Sequence, residues 1–117
     1  MFDNAEYHKI VKRMVGKLQS KIAKHPSAYS NWIQLINWIN YGFNQVVISG
    51  KNTNECYSNI SSIYTPNAMV FHAQPDTMLP LLKEKTSANE LKIYVCKDYT
   101  CGLPLYSVEE TVNAIKP

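Results

Sequence analysis

The sequence predicts an α/β fold in which an N-terminal helical hairpin packs on a small, mostly parallel sheet. Two observations support this prediction. Apolar residues recur at helical spacing before residue 44, and short β-branched runs alternate with helical patterns after it. The expected element order is αα-βαβαββα, a three-layer arrangement that ends in a β-hairpin and a helix. The length of 117 residues suits a single domain over 1–117, formed by a hairpin (1–43) and a small α/β module (44–117).

Residues 3–24 are expected to form one amphipathic helix. Asp3 or Asn4 would cap its start, and His25-Pro26 would end it. The basic residues of this segment lie on the arc opposite its apolar stripe. The stripe consists of Ile10, Val11, Met14, Val15, Leu18 and Ile22.

A second helix is expected over about residues 29–41. Ser30 or Asn31 would cap this helix, and Gly42 would stop it. Its apolar stripe consists of Trp32, Leu35, Ile36 and Ile39. The two helices together make the hairpin of the predicted fold.

The pattern changes to strands after residue 44. Residues 46–48 are a continuous β-branched run, which is typical of a strand buried on both faces. Ser49-Gly50 closes this run, and a helix should follow. Asn52 and Glu55 have the spacing of a capping box at the start of that helix.

A second and a third strand are expected at 68–73 and 91–96. Asp76 or Thr77 would start a helix between them, because Pro80 is tolerated in a first turn. A turn over residues 98–102 should lead into a short strand. This strand is expected at 103–106.

The last helix of the predicted fold begins at a capping box. Ser107 and Glu110 form the S-x-x-E pattern, in which each side chain satisfies a backbone N–H group at the start of the helix. The apolar side of this helix consists of Val108, Val112 and Ile115.

Charge is concentrated at the start of the chain, although the net charge is only +3. Six of the 12 lysine and arginine residues precede residue 25, against two acidic residues there. Arg13 is the only arginine, and nucleic-acid sites generally rely on arginine. We therefore interpret the basic arc as a solvated helix face and expect no nucleic-acid partner. No apolar run approaches the roughly 18 residues of a membrane span, so we also expect no membrane partner and a cytoplasmic location.

The sequence does not indicate a metal site or a hydrolytic site. His8, His25 and His72 lie in three different predicted elements without metal-ligand spacing, and we expect His72 to be a core histidine with a satisfied hydrogen bond. No nucleophile elbow or close carboxylate pair is found at a strand end. We expect no cofactor.

The segment 50–53 is a weak candidate for phosphate binding. Gly50 and Lys51, followed by Asn52 and Thr53, lie between a buried strand and a helix, where open α/β sheets bind phosphate. A P-loop requires a glycine five residues before the Gly-Lys pair, and Gln45 occupies that position. An ordinary βα turn is therefore the favoured interpretation.

The most specific feature is the Cys-x4-Cys pair formed by Cys96 and Cys101. The two thiols flank a predicted turn, so they are able to face each other across a hairpin. Structural thiols, which behave as small buried hydrophobic groups, are the favoured interpretation. A redox or disulfide role is the alternative.

The run YVCKDYTCGLP at residues 94–104, followed by an acidic helix start, resembles the C-terminal signature of a widespread family. Its members are commonly called spermatogenesis-associated or thioredoxin-domain-containing proteins. They have a thioredoxin-like domain, an (α/α) barrel similar to those of glycan epimerases and six-hairpin glycosidases, and a short α/β tail. The resemblance assigns Cys96, Cys101 and Pro104 to the motif without a catalytic role, and Asp98 stands where asparagine is more usual.

The resemblance implies that this chain is the C-terminal accessory module of a larger protein with carbohydrate-related or redox activity. Its partners would be the barrel and the thioredoxin-like domain of the same protein, and the helical hairpin would close the barrel. Outside that protein the chain would expose apolar surface around Trp32 and Trp38, which would allow it to form a homodimer. The alternatives are an autonomous thiol-redox domain that uses Cys96 and Cys101, and a phosphate or nucleotide binder at 50–53.

Overall fold

A computed structural model of the chain describes residues 4–73, 85, 89–98 and 100–116. It has N-terminal helices followed by a four-stranded sheet with further helices, which confirms the α/β class. The chain divides into two compact units, Met1–Asn40 and Tyr41–Pro117. This division lies three residues before the expected boundary between the hairpin and the α/β module.

The first unit consists of two helices joined by a 3₁₀ turn. Helix α1 is Ala5–Lys24, the turn is Pro26–Tyr29, and helix α2 is Ser30–Tyr41, whose last residue belongs to the second unit. The side chain of Asn4 accepts hydrogen bonds from the N–H groups of Glu6 and Tyr7, at 2.9 and 3.3 Å. Asn4 is therefore the cap of α1, one of the two residues expected from the sequence.

Gly42 ends α2, as expected. Its φ is +81°, a left-handed conformation that glycine adopts without steric cost and that commonly follows the last residue of a helix. None of the described helices combines the length and the apolar character that a membrane span requires.

The helical unit has a small core. Ile22 is the only buried residue on α1, and α2 has none. Along α1, the positions of the predicted stripe that lie nearest to Ile22 are half-buried, whereas Tyr7, Ile10 and Met14 are exposed. The apolar stripes identified in the sequence are therefore only partly covered.

The second unit is built on a sheet with strand order β2-β1-β3-β4. The strands are β1, Asn44–Ser49; β2, Ala68–His72; β3, Lys92–Lys97; and β4, Thr100–Cys101. β1 pairs parallel with β2 and antiparallel with β3, and β3 pairs antiparallel with β4. The sheet is therefore mixed, and the expectation of a mostly parallel sheet was wrong.

The direction of β3 follows from where the chain re-enters the sheet. β2 ends at His72 beside Ile48, and β3 begins at Lys92 beside Ser49. The connection thus starts and ends at the same end of β1, so β3 must run against β1. A parallel β3 would require the chain to cross to the opposite end of the sheet first. The helix expected from Asp76 or Thr77 lies outside the described residues.

Strand β1 lies in the middle of the core. Val46 and Ile48 point to one face of the sheet, where they pack with Cys56 and Ile60 of helix α3, Thr53–Ser61, and with Ile115 of helix α4, Val108–Ile115. Val47 points to the other face, where it packs with Phe71, Ala73 and Tyr94. The prediction of a strand buried on both faces is confirmed.

The two expected capping boxes have different outcomes. At α4, the Ser107 hydroxyl accepts from the Glu110 N–H at 3.2 Å, and the Glu110 carboxylate accepts from the Tyr106 N–H at 3.2 Å. This box is confirmed, although the carboxylate reaches the residue before the cap. At α3, Asn52 has a left-handed backbone with φ +56° and its side chain makes no capping hydrogen bond. The expected box of Asn52 and Glu55 was wrong because this backbone conformation redirects the cap side chain.

Gly50 is required by a close approach between two backbone segments. Its φ is +99°, and a Cβ at this position would overlap the carbonyl oxygen of Glu90. The turn after β1 therefore packs directly against the backbone that leads into β3.

We expect the substitution Gly50→Ala to lower the free energy of unfolding by more than about 1 kcal/mol, because it combines a left-handed φ with a backbone clash. Gly16→Ala is the control. Gly16 lies within α1 with no atom near its Cβ position, so alanine there should stabilise the helix by about 0.5–1 kcal/mol. Thermal unfolding followed by circular dichroism measures both changes. A Gly50→Ala variant as stable as the wild-type chain would contradict the assigned packing.

Candidate functional site

The candidate site is the hairpin formed by β3 and β4. Cys96 and Cys101 are directly opposite each other in the antiparallel ladder, with their Cα atoms 3.9 Å apart, and a disulfide joins them. Lys97 and Thr100 form the next pair, so the connecting turn is shorter than the expected 98–102. Asp98 in this turn has φ +48°, a left-handed conformation that aspartate and asparagine adopt more readily than most residues.

The chain continues beside β3 after β4, but with a change of register. Cys96 is paired with Cys101, whereas Ile93 is paired with Leu105. In the second pair, Leu105 N–H donates to Ile93 O at 2.7 Å and Ile93 N–H donates to Leu105 O at 2.8 Å. The paired residue numbers add up to 197 at the first pair and 198 at the second, so one extra residue lies between them. This is a β-bulge.

Pro104 lies within this bulge, in the stretch between Gly102 and Leu105. Gly102 still donates its N–H to Val95 O at 3.0 Å, and Leu105 resumes the ladder. Proline has no N–H group to donate, so a bulge is one of the few places where it fits beside a strand. The Cys-x4-Cys-x-x-Pro spacing therefore corresponds to a tight turn, a cross-strand disulfide and a bulge, and the expected strand at 103–106 is reduced to the single bridge at Leu105.

The two cysteines of the disulfide differ in their exposure to solvent. Cys96 is only 1% exposed, whereas Cys101 is half-buried. Asp98 in the turn and the flanking Lys97 and Thr100 are exposed. Any thiol that approaches the disulfide from solvent therefore meets Cys101 more easily than Cys96.

The third cysteine, Cys56, is separated from this pair. It is buried in α3 and belongs to the core that Ile93 and Val95 join, whereas Cys96 points to the opposite face of the sheet by alternation. Burial raises the pKa of the Cys56 thiol above its ordinary value, and the neighbouring Glu55 carboxylate raises it further. Both effects keep Cys56 in the unreactive thiol form at neutral pH.

The predicted phosphate segment forms the turn between β1 and α3. Gly50 packs against Glu90, Lys51 and Asn52 are exposed, and Thr53 is the first residue of α3. The close approach to Glu90 explains the glycine without a ligand. Phosphate binding at 50–53 stays a prediction.

The histidines do not come together. Among the described residues, no group of three or more His, Cys, Asp or Glu side chains is placed to hold a metal ion. The His72 ring contacts the Tyr57 ring edge-on, with centroids 4.6 Å apart. Its buried Nε2 atom has no hydrogen-bond partner among the residues that the structure describes, so the expectation of a satisfied core histidine was wrong.

One surface feature was not identified in the sequence. A shallow depression of about 570 Å³ lies between the end of α3 and the first half of β2. Exposed large side chains line it, namely Tyr57, Ile63, Tyr64 and Met69. Ile63 and Tyr64 lie in the segment that connects α3 to β2. Two large side chains in a connecting segment were the available signal in the sequence.

We expect reduction of the Cys96–Cys101 disulfide to lower the free energy of unfolding by about 2 kcal/mol, the chain-entropy value for such a short loop. Denaturant unfolding with and without reductant measures this difference. The double variant Cys96→Ala/Cys101→Ala is the control, and reductant should not change its midpoint. If reductant leaves the wild-type midpoint unchanged, the disulfide does not constrain the unfolded chain.

Comparisons with protein-family models, with curated proteins and with solved structures found no match to this chain. The resemblance to thioredoxin-domain-containing proteins therefore rests on the Cys-x4-Cys-x-x-Pro segment and on the order of the elements. Membership of that family stays a hypothesis.

Proposed function

We propose that this chain is a non-catalytic α/β accessory module whose N-terminal helices dock on a partner domain of a larger protein. The observation that carries the proposal is the small core of the helical unit. Ile22 is its one buried residue within positions 4–40, although both helices have wide apolar stripes. A helical pair with so little buried apolar surface gains little stability by itself.

The composition of α2 supports docking more strongly than that of α1. Helix α2, Ser30–Tyr41, contains no charged residue, whereas α1 contains six basic ones. Surface helices usually carry charged residues on their solvent-facing side, and the polar side of α2 has only Ser, Asn and Gln residues. The apolar residues of α2 are half-buried or exposed, so a partner surface is needed to cover them.

The resemblance indicates which partner this is. In the proposed arrangement, the partners are the (α/α) barrel and the thioredoxin-like domain of one cytoplasmic protein, which acts on carbohydrate or in redox chemistry. The helical unit would complete the ring of helices in the barrel, and the α/β unit would follow it. The proposal includes no cofactor, nucleic acid or membrane partner for this chain.

The size of the native polypeptide tests the proposal. An antibody raised against this chain should detect a band several times larger than 13.4 kDa in lysate of the source cells. This is expected because the module would be synthesised as part of its parent protein. A band at 13.4 kDa would contradict the accessory function and favour a free-standing protein.

The same proposal also predicts an apolar surface on the isolated chain. A fluorescent dye that binds apolar surface should bind the folded chain, and the variant Ile39→Lys should reduce this binding because Ile39 is exposed on α2. Leu103→Lys, at an exposed residue of the α/β unit, is the matched control and should leave most of the binding unchanged. Absence of dye binding by the folded wild-type chain would contradict the proposal.

A second candidate function, thiol–disulfide exchange, is favoured by the disulfide itself. A thiolate of a dithiol donor would attack Cys101 Sγ, break the Sγ–Sγ bond and release the Cys96 thiolate, which then takes up a proton. The second thiol of the donor would resolve the mixed disulfide. The chain would thus gain two electrons and two protons, and the donor would become a disulfide.

Alkylation of the reduced, folded chain tests this second candidate. At neutral pH we expect Cys101 to react first with iodoacetamide, Cys96 next and Cys56 last, because burial and Glu55 raise the pKa of Cys56. Mass spectrometry of timed samples measures the order, and the rate at Cys56 should increase as the pH rises. If Cys96 and Cys101 are both as slow as Cys56, the exchange function is wrong.

A further inference from the structure

The two edges of the sheet differ in how well they are protected against pairing. Strand β4 is only two residues long, is joined to β3 by the disulfide, and has the charged residues Lys97 and Asp98 beside it. Short edge strands and charged residues are devices by which proteins block an edge. Strand β2, Ala68–His72, forms the other edge over five residues and contains no acidic residue, lysine, arginine or proline.

The hydrogen bonds of β2 show which of its backbone groups face outward. Ala73 N–H donates to Ile48 O at 2.8 Å, and Asn67 O accepts from Asn44 N–H at 2.7 Å. Alternate residues of a strand direct their backbone groups to opposite sides, so the N–H and C=O groups of Val70 and His72 point away from β1. Within the described part of the chain, no strand pairs with this side of β2.

Ala68 differs from Val70 and His72 because its backbone N–H group is already bonded. Its backbone groups also point away from β1, but its N–H already donates to Thr65 O at 3.1 Å. The outward side of β2 therefore presents the N–H groups of Val70 and His72 as donors, and the carbonyl groups of Ala68, Val70 and His72 as acceptors.

We propose that the outer edge of β2 is a homodimer interface, at which the strands of two copies pair antiparallel about a twofold axis at Val70. In this register, Val70 N–H of each copy donates to Val70 O of the other, and His72 N–H donates to Ala68 O. The N–H groups of Val70 and His72 then both have acceptors. The Ala68 N–H group needs no acceptor from the second copy because it already donates to Thr65 O. The two sheets become one continuous sheet.

The side chains around β2 fit the same arrangement. A twofold axis perpendicular to the sheet keeps the α3 helices of both copies on the same face. Two exposed aromatic residues, Tyr57 on α3 and Tyr64 after its end, then approach the second copy, and Tyr64 is 89% exposed in the single chain. On the opposite face the two Met69 side chains, each 49% exposed, lie near the axis.

A second copy explains these observations better than an unrelated peptide. The donors and acceptors of β2 match those of an identical strand in reverse direction, and the absence of acidic, lysine and arginine residues on the strand removes charge repulsion between copies. The depression of about 570 Å³ at the edge would be covered from both sides of the axis. This proposal does not depend on the helical unit or on the proposed accessory function.

Sedimentation equilibrium of the full chain over a range of concentrations tests the proposal. We expect the mass to rise from 13.4 kDa towards twice that value. The variant Val70→Pro removes an outward N–H group that β1 does not use, so the chain should fold and stay monomeric. Val70→Ala is the control, because it shortens the same side chain and keeps the N–H group, and it should still dimerise.

A second pair of variants tests the interface without changing the backbone. Met69→Glu places two carboxylates near the twofold axis and should weaken dimerisation at least tenfold, with recovery at high salt. Met69→Gln is the uncharged control and should dimerise like the wild-type chain. A wild-type chain that is monomeric at every concentration overturns the proposal. A dimer that persists in both Val70→Pro and Met69→Glu also overturns it, since the contact would then lie elsewhere.

Discussion

The burial of strand β1 is the constraint on which the rest of the α/β unit depends. Val46, Val47 and Ile48 are completely buried, so both faces of the strand must be covered and both of its edges must be paired. The parallel pairing with β2 and the antiparallel pairing with β3 meet this requirement. The turn at Gly50 follows from it as well, because the chain that leaves β1 passes directly beside the segment that enters β3.

The cysteine hairpin shows how a distinctive motif arises from structural needs at a sheet edge. A left-handed residue at Asp98, a cross-strand disulfide and a bulge at Pro104 shape the last strand beside β3. The bulge bends this edge and β4 is only two residues long, which limits further pairing there. The opposite edge at β2 has none of these devices among its described residues, and the sheet is therefore asymmetric in its capacity to associate.

The two units of the chain also differ in charge. Positions 1–40 contain six basic and two acidic residues, a charge of +4, whereas positions 41–117 contain six basic and seven acidic residues, a charge of −1. Among the described residues, the basic unit has one buried side chain, and the α/β unit has two buried clusters, one on each face of the sheet. The two units therefore differ both in charge and in the extent of their buried core.

The sequence by itself determined the features that depend on neighbouring residues. The stop at Gly42, the capping box of Ser107 and Glu110, and the buried run of β1 were predicted correctly, because each is decided within a few residues. For the same reason the cap of α1 was narrowed to two residues, of which Asn4 is the one observed. The sequence left the state of Cys96 and Cys101 open, and the structure joins them in a disulfide across a local hairpin. Only the tertiary structure decided the direction of β3 and the edge position of β2 among the described strands. These depend on where distant segments meet in the sheet, and the spacing of residues along the chain carries no information about which end of β1 the chain returns to.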